Sequence, residues 1–296
     1  MYAVQAPQGG DGMSCSRCIA SSAPGARGPG WQVGPYGERV NSGGDHLTKT
    51  RFGAPPSFFD WEASGLRWLG EGTAAGGAAV VTVRSVGAEM IVMDRVQEVP
   101  ASRSKAEAFG HALAATHARG APAFGAGPPG WSGDGFIGRQ VLVLHQFSRW
   151  GEFYAETRVL PYATKAHRIG NLSDAALRAV ERVCERLGAG DYDDDRPPAR
   201  IHGDLWAGNV LYGADGAVLI DPAAHGGHGL TDIAMLALFG TEHLDLVQAG
   251  YAEAAGLPVD WPDLIGLHQL HPLLVHAVSH GPSYGGQAAR TAARYV

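Results

Sequence analysis

The chain has 296 residues and a formal net charge of −6, with 18% of its residues charged. That length holds one large domain or two around a substantial core, and the acidic balance excludes the basic footprint of a nucleic-acid binder. No apolar run is long enough to span a bilayer, the start lacks the charged-then-apolar order of a signal peptide, and three cysteines make no disulfide framework, so a cytoplasmic protein is expected.

Residues 1–44 are rich in Gly, Ser and Pro and lack sustained hydrophobic periodicity. Such a stretch buries too little apolar surface to offset its ordering entropy, so a disordered or atypical N-terminal extension is expected. Cys15 and Cys18 form a C-x-x-C without a second Cys/His pair at finger spacing. A redox pair, half a zinc site and chance occurrence all stay open. Gly9-Gly10 and Gly43-Gly44 are weak candidates for a phosphate-covering loop, and a mis-assigned upstream start is one hypothesis for the whole segment.

An N-terminal lobe is expected over residues 45–96. Residues 46–50 suit a strand carrying Lys49, and Ser57 is placed to cap a helix over 58–70 that carries Phe58, Phe59, Ala63, Leu66 and Leu69 with Glu62 among them. Lys49 and Glu62 then form either a buried ion pair or two solvated charges. Residues 78–86 and 89–94 read as two inner strands joined at Gly87-Ala88.

From Pro100 onward the pattern turns helical, giving a larger lobe over 97–296. A helix is expected over 104–119, with His117 near its end as a dipole partner or cap, then a long loop over 120–138 holding Trp131 and Phe136. The aromatics of a helix over 151–160 suit a core, although Trp150 and Arg158 stand within reach of a substrate cleft. Ser173 caps a further helix to 187, and 191–198 is a polar break. Asp232 opens an apolar helix, where its carboxylate can accept backbone N–H groups and steady the preceding loop. Helices over 241–255 and 263–280 follow, the second rich in histidines that suit a neutral packing surface.

Between these lies IHGDLWAGNVLYGADGAVLIDP, residues 201–222. Two short β-prone runs flank Gly213-Ala214-Asp215-Gly216, which is turn chemistry, so the stretch folds into a hairpin. Folding back there brings Asn209, before the first strand, beside Asp221, after the second. An amide oxygen and a carboxylate at ladder spacing can share a hard cation such as Mg²⁺. Asp204 is left to orient or deprotonate a hydroxyl. A D-x-x-x-x-N loop followed by a metal-binding Asp is how protein kinases hold nucleophile and magnesium. In such a fold, backbone groups at Met93, Asp94 and Val96 would form the hinge that binds adenine. His225 and His228 admit a zinc reading, but the oxygen donors at Asn209 and Asp221 argue for a harder cation.

With these residues in hand the chain resembles the fructosamine kinase (ketosamine kinase) family of the aminoglycoside-phosphotransferase and choline-kinase-like superfamily. The resemblance rests on FFDWEASGL at 58–66, the DGFIG and WGEFYAETRVLP segments, HGDLWAGNVLY at 202–212, VLIDPAAHGGHGLTDIAMLALFG at 218–240, and LHQLHPLLVHAVSHGPSYGG near the end. It implies an α+β, protein-kinase-like, two-lobed fold, its small β-rich lobe incomplete at the glycine loop and first strands. It also implies ATP-dependent phosphorylation, with Mg²⁺, of a ketosamine or glycated lysine at the sugar 3-hydroxyl, a deglycation step. On matching positions Asp204 would be the catalytic base, Asn209 and Asp221 the magnesium ligands, and Lys49 with Glu62 the phosphate-anchoring pair. His202, Trp206, Trp150 and His228 are candidate substrate residues. A kinase of another hydroxylated amine, such as an aminoglycoside or amino alcohol, and a nucleotide-binding regulatory protein stay open as alternatives.

Overall fold

Short β-prone runs before Asp94 and helical periods after Pro100 become two unequal lobes in the computed structural model, which describes residues 31–33 and 38–296. The first lobe contains β1 (Trp31–Val33), β2 (Arg39–Gly43), β3 (His46–Thr50), α1 (Phe58–Gly70), β4 (Ala79–Val80), β5 (Val83–Gly87) and β6 (Met90–Asp94). Five of the strands make an antiparallel sheet in the order β1-β2-β3-β6-β5. The sheet therefore begins before residue 45, and the expected extension over 1–44 must give up β1 and β2. Gly44, with φ 60°, turns the β2–β3 hairpin. Gly9-Gly10, Cys15 and Cys18 lie outside the described residues.

Two local expectations change. The run over 78–86 is not one strand: it breaks at Val81-Thr82, freeing β4 to pair elsewhere, and β5 lies at the sheet edge with Arg84 and Ser85 exposed. Ser57 takes φ 62° and makes no side-chain cap. The helix it precedes nonetheless forms over the expected span, because Phe58, Phe59, Ala63 and Leu66 bury against Ile91 and Met93 of the sheet. Burial of an apolar helix face outweighs a missing cap, which is worth only about 1 kcal/mol.

The second lobe holds α2 (Arg103–Ala118), the hairpin β7 (Gly135–Ile137) and β8 (Gln140–Leu142), α3 (Trp150–Phe153), α4 (Leu160–Arg168) and α5 (Asp174–Ala189). It continues through β9 (Ala199–Ile201), β10 (Val210–Tyr212), β11 (Ala217–Leu219), β12 (His225–Gly227), α6 (Leu230–Phe239), α7 (Leu244–Ala255), α8 (Ile265–His280) and α9 (Pro282–Ala292). The helix expected to stop near residue 160 passes through a π turn over Tyr154–Val159 and runs on to Arg168. Pro161 falls directly after the π turn, at the second residue of α4.

Two apolar clusters hold this lobe together. One joins the helices from α3 to α5 with α8 and α9, and the other packs α2, α6 and α7 around the β10–β11 hairpin. β4 pairs parallel with β11, Ala79 opposite Val218, so a strand from the first lobe is stitched to the hairpin of the second.

Candidate active site

The loop between β9 and β10 is clamped before any side chain enters the argument. β9 and β12 pair antiparallel, Ile201 opposite His225, which brings the ends of the 202–224 segment together. Ala223 N–H donates to His202 O at 2.9 Å, and Gly203, at φ 81°, carries no Cβ because one would strike Ala223 O. From α6, Asp232 Oδ2 accepts the His202 N–H at 2.7 Å and Oδ1 accepts the Gly203 N–H at 2.9 Å. Asp232 thus steadies the loop before β10 and not the loop it directly follows. His117 Nε2 lies 3.0 Å from Asp232 Oδ2 and its Nδ1 lies 2.8 Å from Tyr251 Oη, so the expected helix-end histidine is a buried link between α2, α6 and α7. Burial opposes the Asp232 charge, yet His117 and the loop amides hold its pKa below the usual carboxylate value.

Asp204 emerges from this clamp. Its N–H donates to His202 Nδ1 at 3.2 Å, and its carbonyl accepts from Asn209 Nδ2 at 2.9 Å. Asn209 closes a 3₁₀ turn over Ala207–Asn209 before β10, and its Nδ2 also reaches the Asp221 carbonyl at 3.5 Å. The hairpin therefore brings Asn209 and Asp221 together as the turn chemistry requires. With its nitrogen committed to two carbonyls, the Asn209 amide oxygen is the end that can accept.

Asp221 itself stands at φ 53°, a left-handed backbone that strains a non-glycine residue and is typical of functional positions. Its Oδ1 lies 2.9 Å from Lys49 Nζ, and the same ammonium lies 3.0 Å from Glu62 Oε2. Lys49 is 7% and Glu62 5% exposed, so the solvated-charge alternative is excluded. Glu38, 1% exposed, lines the same small cleft and adds a third carboxylate around one cation. Burial works against the Lys49 ammonium, but Asp221, Glu62 and Glu38 together hold its pKa above the ordinary lysine value. Burial raises Glu62 to about 8 against the pull of Lys49, whereas Lys49 overcomes burial to keep Asp221 below the usual carboxylate range. Glu62 Oε1 is buried without a hydrogen-bond partner. No three of the described His, Cys, Asp and Glu side chains gather into a closed metal cage, but the Asp221 carboxylate with the Asn209 amide oxygen beside it suits a hard cation of the Mg²⁺ kind, bound through one or two carboxylates plus phosphate oxygens.

A second cavity of about 340 Å³ opens on the other side of Asp204. The β7–β8 turn divides the two spaces: Ile137 and Gly138 line both, while Arg139 and Gln140 line the larger one alone. Its far wall is α8, with His271, His276, Ser279 and His280, and α6 contributes Thr231. These wall residues are absent from the sequence expectations, which stop at a packing role for the α8 histidines. The spacing of three and four from His276 to Ser279 and His280 carried the signal, since it sets those polar groups along one helix face. Burial depresses His276 to about 4 and, together with the nearby Arg158 charge, holds His271 well below the ordinary histidine value; both imidazoles are neutral.

Several expected substrate residues are not on these walls. His202 is fully buried, with Nε2–H donating to Ile220 O at 2.8 Å, so it holds the loop. Trp150 is 5% exposed and stacks between Tyr154 and His268. His228, 4% exposed, lies 3.1 Å from Asp194 Oδ2. Trp206 is half-buried and closes over Gly208. The Met93 side chain belongs to the core and Asp94 faces Arg84, with Nε 2.5 Å from Oδ1. At the expected hinge, the Asp94 N–H goes to Thr82 O and the Arg95 N–H to Asp45 O, each at 2.9 Å. Val96 packs near the β10–β11 turn, lining a separate groove with Gln97 and Gly213.

A small sheet whose Lys49 pairs with Glu62 of α1, over a helical lobe carrying Asp204, Asn209 and Asp221, defines a phosphotransferase of protein-kinase-like fold. The fructosamine kinase family model matches residues 40–296, and the chain belongs to that family. A probable ketoamine kinase of Thermus thermophilus is 30% identical over 257 residues, covering 86% of each chain. A crystal structure from Thermobifida fusca assigned as a fructosamine-3-kinase is 40% identical, with a TM-score of 0.79 over 97% of this chain and 99% of that one. An aminoglycoside phosphotransferase, APH(4)-Ia, shares the fold alone, at 14% identity and a TM-score of 0.57, covering 90% of this chain and 91% of its own.

Proposed function

We propose that the protein is an ATP- and Mg²⁺-dependent kinase of ketosamines of the fructosamine or ribulosamine type, phosphorylating the sugar 3-hydroxyl in a deglycation step. The observation that carries this reading is that Asp204 borders both the Lys49 cleft and the polar cavity under α8. A hydroxyl held in the cavity would meet Asp204 on its way to a phosphoryl group held in the cleft. Lys49, fixed by Glu62, would neutralise phosphate oxygens, and Asn209 and Asp221 would hold the metal. Magnesium ATP, when bound, supplies the transferable phosphoryl group. Asp204 would orient the acceptor hydroxyl and take its proton as that oxygen bonds to the γ-phosphorus, while the bond from that phosphorus to the bridging oxygen breaks and ADP leaves. Such chemistry asks the protein mainly for positioning and charge stabilisation, and fixed groups in a water-poor cleft provide both.

A ketosamine is favoured over the aminoglycoside alternative by charge. Asp204 is the one acid among the described residues lining the cavity, where a polycation would call for several. Neutral imidazoles, Ser279, Thr231 and Gln140 suit sugar hydroxyls instead. Incubating the protein with Mg-ATP and fructosyl-lysine, ribulosyl-lysine or an aminoglycoside, followed by mass spectrometry, tests the reading. One added phosphoryl group on a ketosamine, with subsequent release of the amine, is expected. Transfer to the aminoglycoside alone would overturn it.

A further inference from the structure

The hydroxyl of Tyr154 does something that ring packing does not explain. Tyr154 opens the π turn that leads into α4, and its buried ring stacks on Trp150, with centroids 5.0 Å apart and planes 21° from parallel. Such stacking needs only a phenyl ring. The Oη nevertheless reaches into α8. It donates to Leu267 O at 3.1 Å and His268 O at 2.8 Å, sharing one proton between them, and accepts the His271 N–H at 3.1 Å.

These groups surround a break in the helix. Pro272 lies inside α8. In a regular helix, position 272 would donate its N–H to the carbonyl of residue 268; the proline ring removes that donor and crowds that carbonyl. His268 is buried, where a carbonyl left without a donor is costly, and Tyr154 Oη supplies one. The break also stands where α8 becomes a cavity wall. His271, Pro272, Val275, His276, Ser279 and His280 line the cavity that Asp204 also lines, whereas the residues of α8 from Ile265 to Leu270 do not. The direction of the helix at its break sets where the rest of that wall stands. From Pro272 to His280 is about 12 Å along the axis, so a change of about 10° at the break moves the far end by about 2 Å.

Resting on the reading of this cavity as the acceptor site, we propose that Tyr154 is a positioning residue. Its hydroxyl splints α8 at Pro272 and thereby sets where the acceptor-holding wall stands relative to Asp204. Tyr154 lines neither the cavity nor the Lys49 cleft, so it acts through the helix.

The test is a double-mutant cycle of Tyr154→Phe and Pro272→Ala in the full chain. Phenylalanine keeps the stacked ring and removes the splint, and alanine returns an N–H to position 272 for the His268 carbonyl. Tyr154→Phe is expected to lower the urea midpoint in the otherwise wild-type chain, and much less beside Pro272→Ala. With Mg-ATP and fructosyl-lysine, Tyr154→Phe should raise the acceptor KM about tenfold, the loss of about one hydrogen bond to a shifted wall. The KM for Mg-ATP should stay unchanged, because α8 does not line the Lys49 cleft. An equal drop in midpoint in both backgrounds would overturn the splint. An unchanged acceptor KM would overturn the positioning role, including the case where kcat alone falls, the mark of a smaller folded fraction. Should Tyr154→Phe fail to fold, the double variant decides: folded protein supports the splint, and a chain as unfolded as the single variant overturns it. If the wild-type protein phosphorylates an aminoglycoside and no ketosamine, the ketosamine reading has failed, a distinct result. The midpoints involve no substrate and still decide the splint.

Discussion

The backbone of Asp204 is fixed by His202 and Asn209, while its side chain borders two spaces of opposite character. Those two duties can be separated by substitution. Asp204→Asn keeps the shape and the backbone bonds but cannot take a proton, so kcat should fall by about 10²–10⁴. Nucleotide affinity, measured by calorimetric titration, should stay near that of the wild type. Unchanged turnover would remove Asp204 from the role of base. At this scale the sequence was legible where spacing fixes geometry: Lys49 on a strand, Glu62 on the next helix, and Asn209 and Asp221 on either side of a turn. It was not legible for His202, Trp150 and His228. Their polarity or size suits a cleft and a core equally well, and only neighbouring residues decide which way a side chain points. Glu38 was hidden for a different reason, since the glycine-rich composition around it gave no sign of a strand.

Among the elements, α2 and α7 cross with backbones nearly touching. A Cβ at Gly110 would strike Val247 O and the Tyr251 N–H, and one at Gly250 would strike Glu107 O. By helix propensity alone Gly110→Ala should stabilise by about 1 kcal/mol. Here the obstacle is backbone, which cannot rotate aside, so overpacking of about 1–3 kcal/mol should win. We expect a net loss of stability, read as a lower urea midpoint with an unchanged slope. A rise would mean that the two helices can part without penalty. Tyr251 also ends the hydrogen-bonded line through His117 to Asp232, so the same variant is expected to lower kcat. Helix spans such as 58–70 could be read from apolar period, but this crossing could not. A glycine inside a helix does not announce the partner that approaches it.

Over the molecule as a whole, buried histidines set the response to acid. Burial lowers His225 to about 3 and His276 to about 4, and holds His268 and His271 well below the ordinary value of 6.5. In each case the unfolded chain takes up a proton that the folded one refuses. Their contribution is intact above pH 6.5 and is lost as pH falls toward the folded values, at up to about 1.4 kcal/mol per pH unit for each. Glu62 acts in the opposite sense, because its pKa is raised from 4.5 to about 8 and its protonated form favours the fold below that range. One such group only partly offsets four. The unfolding free energy should therefore fall between pH 6.5 and 4.5, before the carboxylates Asp221 and Asp232, held low, begin to protonate. A chemical-denaturation series across that range checks this, and a flat profile would contradict it.

The sequence by itself determined the hairpin over 201–222, the strand and helix that carry Lys49 and Glu62, the order of a small sheet before a helical lobe, and the family resemblance. These depend on neighbours a few residues apart or on spacings that local geometry converts directly into proximity. Tertiary structure alone decided the start of the sheet, the parallel joining of β4 to β11, and the conversion of the α8 histidines from packing surface to cavity wall. It also left Arg158 buried over the Phe153 ring, with no carboxylate at ion-pair distance among the described residues. Each of these is set by which distant segment covers a given face, and burial is what turns a polar residue into a structural tie or a neutral donor.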